Sequence, residues 1–307
     1  MQVGYFARRS KIEPLEKIVK PRGETWTHIS GRDLPVTDIA EQFSLNPDII
    51  RDIMDCHELP RLEIDNDINY LFIRTPVYSP ENGKTVPLLM VMAPNLFLTI
   101  SVDPHFNPLK VDQFLTNKVD NLSIFLPSVI AYTVYEFEVR IQQLAEKIAN
   151  SRKRLAQREV KNADFIEFVE IEDSLNGYRG SLEGLLNVIS QLETSQNKIL
   201  TSYGCDAVND IKLHVGQLLV SINSNISTMK SIHNAYSTIA NNVLNQRMKT
   251  LTTITILLAI PNVFYGMYGM NIVLPIQHEP WAFIAIVGLT ILLIILTYLI
   301  AKRKQLF

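Results

Sequence analysis

Eight positions near the C-terminus recur every three or four residues: Asn245, Met248, Thr252, Thr255, Ala259, Asn262, Gly266 and Gly269. On a helix that spacing places them on one stripe. The stripe is small or polar, whereas most residues off it are larger and apolar. Rows of amide and hydroxyl groups can hydrogen-bond to water or to a hydrated ion, so the stripe suits the wall of a path for ions. Neither one helix nor two can enclose such a path, which therefore requires several copies of the chain. Small residues also let helices pack closely on one another, and the stripe alone does not choose between the two readings. Pro261 kinks or loosens any helix that contains it, and Asn262 could serve only to satisfy a backbone group so freed.

The stripe lies largely within Leu251–Met270, a run without a charged residue and about long enough to cross a bilayer. Trp281–Ala301 is a second uncharged run, with Trp281 and Tyr298 near its ends as interface anchors. In it only Gly288, Thr290 and Thr297 are small or weakly polar, which suits contact with lipid. The linker, about 271–280, is too short for a domain, so the two runs read as a hairpin; two buried core helices with such flanks would be unusual. Arg247 and Lys249 precede the first run, Lys302, Arg303 and Lys304 follow the second, and the linker has no Lys or Arg. By the positive-inside rule both ends are cytoplasmic, which suits a plasma-membrane protein with cytoplasmic termini. The opening MQVGYFARRS has no apolar h-region and agrees with this.

Upstream, residues 1–125 mix short strand-like runs (Thr25–Ser30, Asn69–Pro76, Val86–Met92, Leu96–Ser101) with short helices, one starting at Pro47. This part reads as an α/β domain with a small sheet. Residues 126–247 read as a bundle of long helices. Val134, Phe137, Ile141, Leu144, Ile148 and Leu155 form one buried stripe. A second helix is expected from about Asn162 to Ser202, a break at Tyr203-Gly204-Cys205, and a third helix from Asp206 to Gly269. That third helix would be roughly 95 Å long at 1.5 Å per residue, of which a bilayer takes about 30 Å. The rest would be a stalk in water. Residues 248–307 are the membrane hairpin, with spans at about 250–270 and 281–301 and a basic tail. The fold class is thus α+β with two C-terminal transmembrane helices.

Several chemistries find no support. Lys and Arg total 29 against 31 Asp and Glu, and this balance gives no basic excess for nucleic acid. Cys56 and Cys205 make no CxxC pair, and His57, His214 and His233 are too scattered for zinc-ligand spacing. There is no GxxxxGK[ST], HExxH, GxSxG or kinase-like set, so an enzyme is the weakest reading.

Tyr268-Gly269-Met270-Asn271, at the outer end of the first of two C-terminal spans, resembles the signature of the CorA family of magnesium channels. The short outer loop, the second span and the terminal basic cluster also match. So do Met248-Lys-Thr-Leu251-Thr-Thr-Ile-Thr255 and the stretch from Asn46-Pro47 through Asp52 to Tyr70-Leu-Phe-Ile73. The resemblance implies a funnel-shaped homopentamer in the membrane lipid, with the first span lining the pore and Asn245, Thr252, Thr255 and Asn262 facing it. It implies a pore mouth at Gly269, Met270 and Asn271 and an apolar gate at Met248 and Leu251. It also implies a regulatory divalent site between subunits, shared by Asp52 and Asp210. Mg2+ would be both cargo and regulator, with Co2+ and Ni2+ as further ions and no organic cofactor. There are departures: the family's further apolar ring is represented only by Ala259 or Ile260, Asn262 stands where some members have threonine, and the outer loop has one acid, Glu279. Two alternatives remain at this point: a zinc transporter on the same scaffold, and a membrane-anchored coiled-coil protein without transport.

Overall fold

The structure is a computed structural model. It describes all residues except 9–12, 22–24, 78–82, 116–123, 157–161, 195–201, 273–275, 277–278 and 304–307. Lys304 and half of the expected outer loop therefore lie outside the described residues. The chain divides into two compact units, Met1–Ile232 and His233–Phe307.

The first unit is built on a seven-stranded mixed sheet. Its strands are β1 (Gln2–Ala7), β2 (Glu16–Ile18), β3 (Trp26–Ser30), β4 (Arg61–Asp65), β5 (Ile68–Pro76), β6 (Thr85–Ala93) and β7 (Leu96–Ser101), in the order β2-β1-β3-β7-β6-β5-β4. Only the central β3–β7 pair is parallel. β5 and β6 are near-continuous apolar runs because both faces of the sheet are covered. One face buries Ile29, Tyr70, Phe72, Leu89 and Ile100 with Ile39, Ile50 and Ile53 of α1 (Val36–Phe43), α2 (Pro47–Arg51) and the 3-10 turn Asp52–Met54. On the other, Trp26 and Phe97 pack against Phe125, at ring-centroid distances of 5.6 Å each, at the start of α3 (Phe125–Ala156). β4 and β5 join through Asn66 and Asp67, both at positive φ, the conformation a two-residue hairpin turn demands.

α4 (Asn162–Thr194) carries Ser174, Gly177, Ser181 and Gly184 along one side. A Cβ at Gly184 would sit 2.6 Å from Pro60 Cγ, just before β4, so the missing side chain is what allows the helix to lie this close. α5 (Ser202–Tyr268) is one continuous helix of 67 residues. Its N-terminal part buries Val208, Ile211, Val215, Leu218 and Ile222, a seam of three-four spacing. Ion pairs Lys212–Glu193 at 2.7 Å and Arg154–Glu167 at 2.6 Å join the helices, and His214 Nε2 lies 3.3 Å from Glu138.

One expectation needs correcting here. Tyr203-Gly204-Cys205 is not a break, because α5 already begins at Ser202. A glycine in the first turn costs a helix little, since the N–H groups of that turn have no intrahelical acceptor in any case. α3 packs on the sheet through Phe125, and residues 1–232 cluster as one compact unit.

The second unit contains the end of α5 and α6 (Ala282–Arg303). Both helices are long and apolar enough to cross a membrane.

Candidate functional site

Asp52 is placed by a chain of local causes. Asn46 caps α2, its Oδ1 accepting from the Asp48 N–H at 3.0 Å. The same residue donates from Nδ2 to Asp65 at 3.0 Å and from its backbone N–H to the Tyr70 hydroxyl at 3.1 Å. The cap, a device worth about 1 kcal/mol, is thereby tied to the β4–β5 hairpin. Pro47 starts the helix, and the 3-10 turn brings Asp52 over the edge strand β4. There Arg61 Nη2 donates to Asp52 Oδ2 at 2.6 Å. Arg61 Nε donates to Glu63 at 3.2 Å, and Nη1 to Glu58. Its guanidinium lies 4.2 Å from the centroid of Phe72, the residue directly opposite on β5. Arg74 fixes the intervening loop by donating to the carbonyls of Glu58, at 2.6 Å, and Cys56, at 2.8 Å. Burial lowers the Arg74 pKa, although the surrounding Cys56, Asp55 and Glu58 act in the opposite direction.

Asp210 is exposed on α5. Among the described residues of one chain, no group of three or more His, Cys, Asp or Glu side chains could hold a metal. The expected pairing of Asp52 with Asp210 is one between copies of the chain. Arg61 was not foreseen. Its signal is in the sequence: between Asp52 and Asp67 it is the single Lys or Arg among six acids.

In the second unit, each helix hides one face. On α5, Thr253 is buried (5 % exposed), and Thr250, Leu257, Ile260, Pro261, Phe264 and Tyr268 are half-buried. On α6, Ala282, Thr290 (2 % exposed) and Ala301 are buried, and Ile286, Leu293, Ile294 and Thr297 are half-buried. α5 and α6 are the described helices of this unit, so each hides these residues against the other, and Thr290 and Thr297 lie on the covered side of α6.

The small and polar stripe lies on the other side of α5. Asn245, Met248, Thr252, Thr255, Ala259, Asn262, Gly266 and Gly269 are all exposed. At 100° per residue, its centre is roughly 180° from the face turned toward α6. Packing within the chain therefore does not account for the stripe. Met248 and Leu251, 54 % and 60 % exposed, lie on the same side.

Local chemistry sharpens this side. The hydroxyls of Thr252 and Thr255 donate to the carbonyls of Met248 and Leu251, each at 2.9 Å. With the proton so used, each oxygen presents only lone pairs outward and can accept from the water around a cation. The helix closes at Tyr268; the Gly269 N–H donates to the Tyr265 carbonyl at 3.0 Å, and the Met270 N–H to the Met267 carbonyl at 3.2 Å. A Cβ on Gly269 would stand 3.1 Å from that Tyr265 oxygen, so the turn closes most easily without one. Met270 and Asn271 follow, both exposed.

Known proteins are similar to this chain in sequence and in fold. The sequence profile of the CorA-like Mg2+ transporter protein family matches residues 23–303. The cobalt/magnesium transport protein CorA of Methanocaldococcus jannaschii is 26 % identical over 271 residues, covering 82 % of this chain and 81 % of that protein. The complete structure of the CorA magnesium transporter from the same organism superposes with a TM-score of 0.83 at 18 % identity, covering 99 % of this chain and 98 % of that one. The cytoplasmic domain of ZntB from Vibrio parahaemolyticus shares the fold over 78 % of this chain and 98 % of its own, with a TM-score of 0.62 at 10 % identity. With a family profile spanning almost the whole sequence, and two apolar helices following a soluble α/β unit and a long helix, the chain belongs to the CorA-like family, whose members are membrane transporters of divalent cations rather than enzymes.

Proposed function

We propose that five copies of this chain form a channel-like path through the plasma membrane, by which the membrane potential drives Mg2+ into the cell. Co2+ and Ni2+ are further candidate ions. The observation that carries this reading is the exposed stripe of α5, small and polar, on the side opposite α6. A stripe with that composition has no use against lipid and fits the wall of a wet path. Rings of Thr252, Thr255, Asn245 and Asn262 accept hydrogen bonds from a hydrated ion, and Met248 and Leu251 form rings that gate by excluding water.

Mg2+ holds its waters tightly and prefers octahedral oxygen coordination. A ring of Asn271 amides at the mouth, shaped by Gly269 and Met270, can bind the hydrated ion without stripping it. Carboxylates there would hold the ion longer and slow its release. No energy source beyond the potential is required. At about 2.3 kcal/mol per charge per 100 mV, a divalent ion gains about 4.6 kcal/mol, more than a thousand-fold in concentration. Passive influx needs a shut-off, and Mg2+ bridging Asp52 and Asp210 of neighbouring copies supplies one by favouring the closed state. Both termini and the α/β unit are cytoplasmic in this reading.

The test is Mg2+ uptake into liposomes that hold a magnesium-sensitive dye under an inside-negative potential. Uptake should require the potential and fall at least tenfold in Asn271→Ala. Zinc uptake without magnesium uptake would assign the path to another ion, and silence for magnesium, cobalt and zinc in potential-loaded, metal-depleted vesicles would reject transport through it.

A further inference from the structure

Asp52 is already occupied. Its Oδ2 accepts a 2.6 Å bond from Arg61, and its side chain is still 46 % exposed. A cation approaching from solvent therefore meets a carboxylate that is half neutralised by a guanidinium. Arg61 itself is held from several sides: by Glu58 and Glu63 through its other nitrogens, by Phe72 beneath its plane, and by the register of β4 on β5. Losing the Asp52 bond would leave those contacts intact, so Arg61 has no reason to swing away. Arginine also remains charged at any pH a cell experiences.

We infer that Arg61 is a tethered competitor of the divalent cation for Asp52, and that it sets how much cytoplasmic Mg2+ is needed to occupy the regulatory site. The inference rests on the reading that Asp52 and Asp210 form that site. A fixed positive charge one hydrogen bond from the ligand opposes a second one arriving, and a cation must either share the carboxylate, through Oδ1 or a bridging water, or break the 2.6 Å bond. Either route weakens binding without abolishing it. That suits a sensor of an abundant ion, whose midpoint must lie high. Three carboxylates around a single guanidinium keep the neighbourhood negative overall, so cations are still attracted. The discrimination comes from which oxygen is free.

The experiment uses the full chain in detergent and measures the Mg2+ concentration that gives half-maximal protection from limited proteolysis. Arg61→Gln should lower that midpoint about five- to tenfold. Arg61→Lys, which keeps the charge but loses the fork and the stacking, should lower it less. Asp52→Asn and Asp210→Ala should each raise it, and Arg61→Gln added to Asp52→Asn should change nothing further. A melting curve without divalent ions checks that each variant is folded; should Arg61→Gln unfold, Arg61→Lys carries the test. An unchanged midpoint in the folded Arg61 variants, with the two aspartate variants shifted, would overturn the competitor role and leave the site standing. An equal shift by Arg61→Gln with and without Asp52 would reduce its effect to general charge and overturn it too. If neither aspartate variant moves the midpoint, the site reading fails first and the inference goes with it.

Discussion

His28 shows how one side chain can set a pH limit on the fold. It is buried in the sheet, its Nδ1 2.7 Å from Thr99 Oγ1, which in turn accepts the Trp26 indole N–H at 2.9 Å. Thr99 Oγ1 thus bridges the indole and the imidazole, whose other ring nitrogen is Nε2. That nitrogen has no hydrogen-bond partner among the described residues. Burial lowers the His28 pKa to about 3 from an ordinary 6.5. The unfolded chain therefore takes up a proton first, and stability is lost as pH falls from about 6.5 toward 3. The loss reaches about 2 kcal/mol by pH 5. Denaturant unfolding at pH 7 and pH 5 should show that extra loss in wild type relative to His28→Phe; equal losses would mean His28 is not the group responsible. At this scale the sequence was a partial guide. Gly269 and Asn271 stood out by position, whereas the occupancy of Asp52 depended on a hairpin register that a linear reading cannot supply.

Elements were more legible where a period was clear. β5, β6 and β7 announce themselves as apolar β-branched runs, and the stripe of α3 from Val134 to Ile148 is buried as its spacing demands. The misplaced break at Gly204 came from treating a glycine as punctuation, when its cost depends on where in a helix it falls. A costlier glycine is Gly83, which enters β6 at φ +91° with its Cα hydrogen against α4. A Cβ there would fall 2.2 Å from Ser174 Oγ and 2.6 Å from Ser174 Cα. Gly83→Ala must pay for both the backbone conformation and the overlap, and should destabilise the first unit by about 2 kcal/mol or more. A thermal melt of the full chain would register this as a fall of several degrees, and an unchanged melt would show that the loop can move away from α4.

For the whole molecule, the decisive feature is a surface that stays exposed among the described residues of its own chain. Periodicity identified the stripe on α5, yet only the packing of α6 on the opposite side separated it from an ordinary helix contact. The number of copies that meet along it is written in no single chain. The proposed path makes a chemical prediction. In a background of Cys56→Ser and Cys205→Ser, Thr255→Cys should react with a water-soluble thiol reagent at least tenfold faster than Leu257→Cys when Mg2+ is removed. Equal rates would place the stripe in lipid or in a dry contact. A last consequence is mechanical. The carbonyls of Gln246, Met248, Lys249 and Leu251 each accept a threonine hydroxyl in addition to their helical partners, and Leu257 loses its helical donor to Pro261. A rod flexes where its internal ties are shared or missing, and the stretch between residues 246 and 261 of α5 combines the two. In the proposed channel the same stretch would carry the Met248 and Leu251 rings, so bending there would change the bore at the gate.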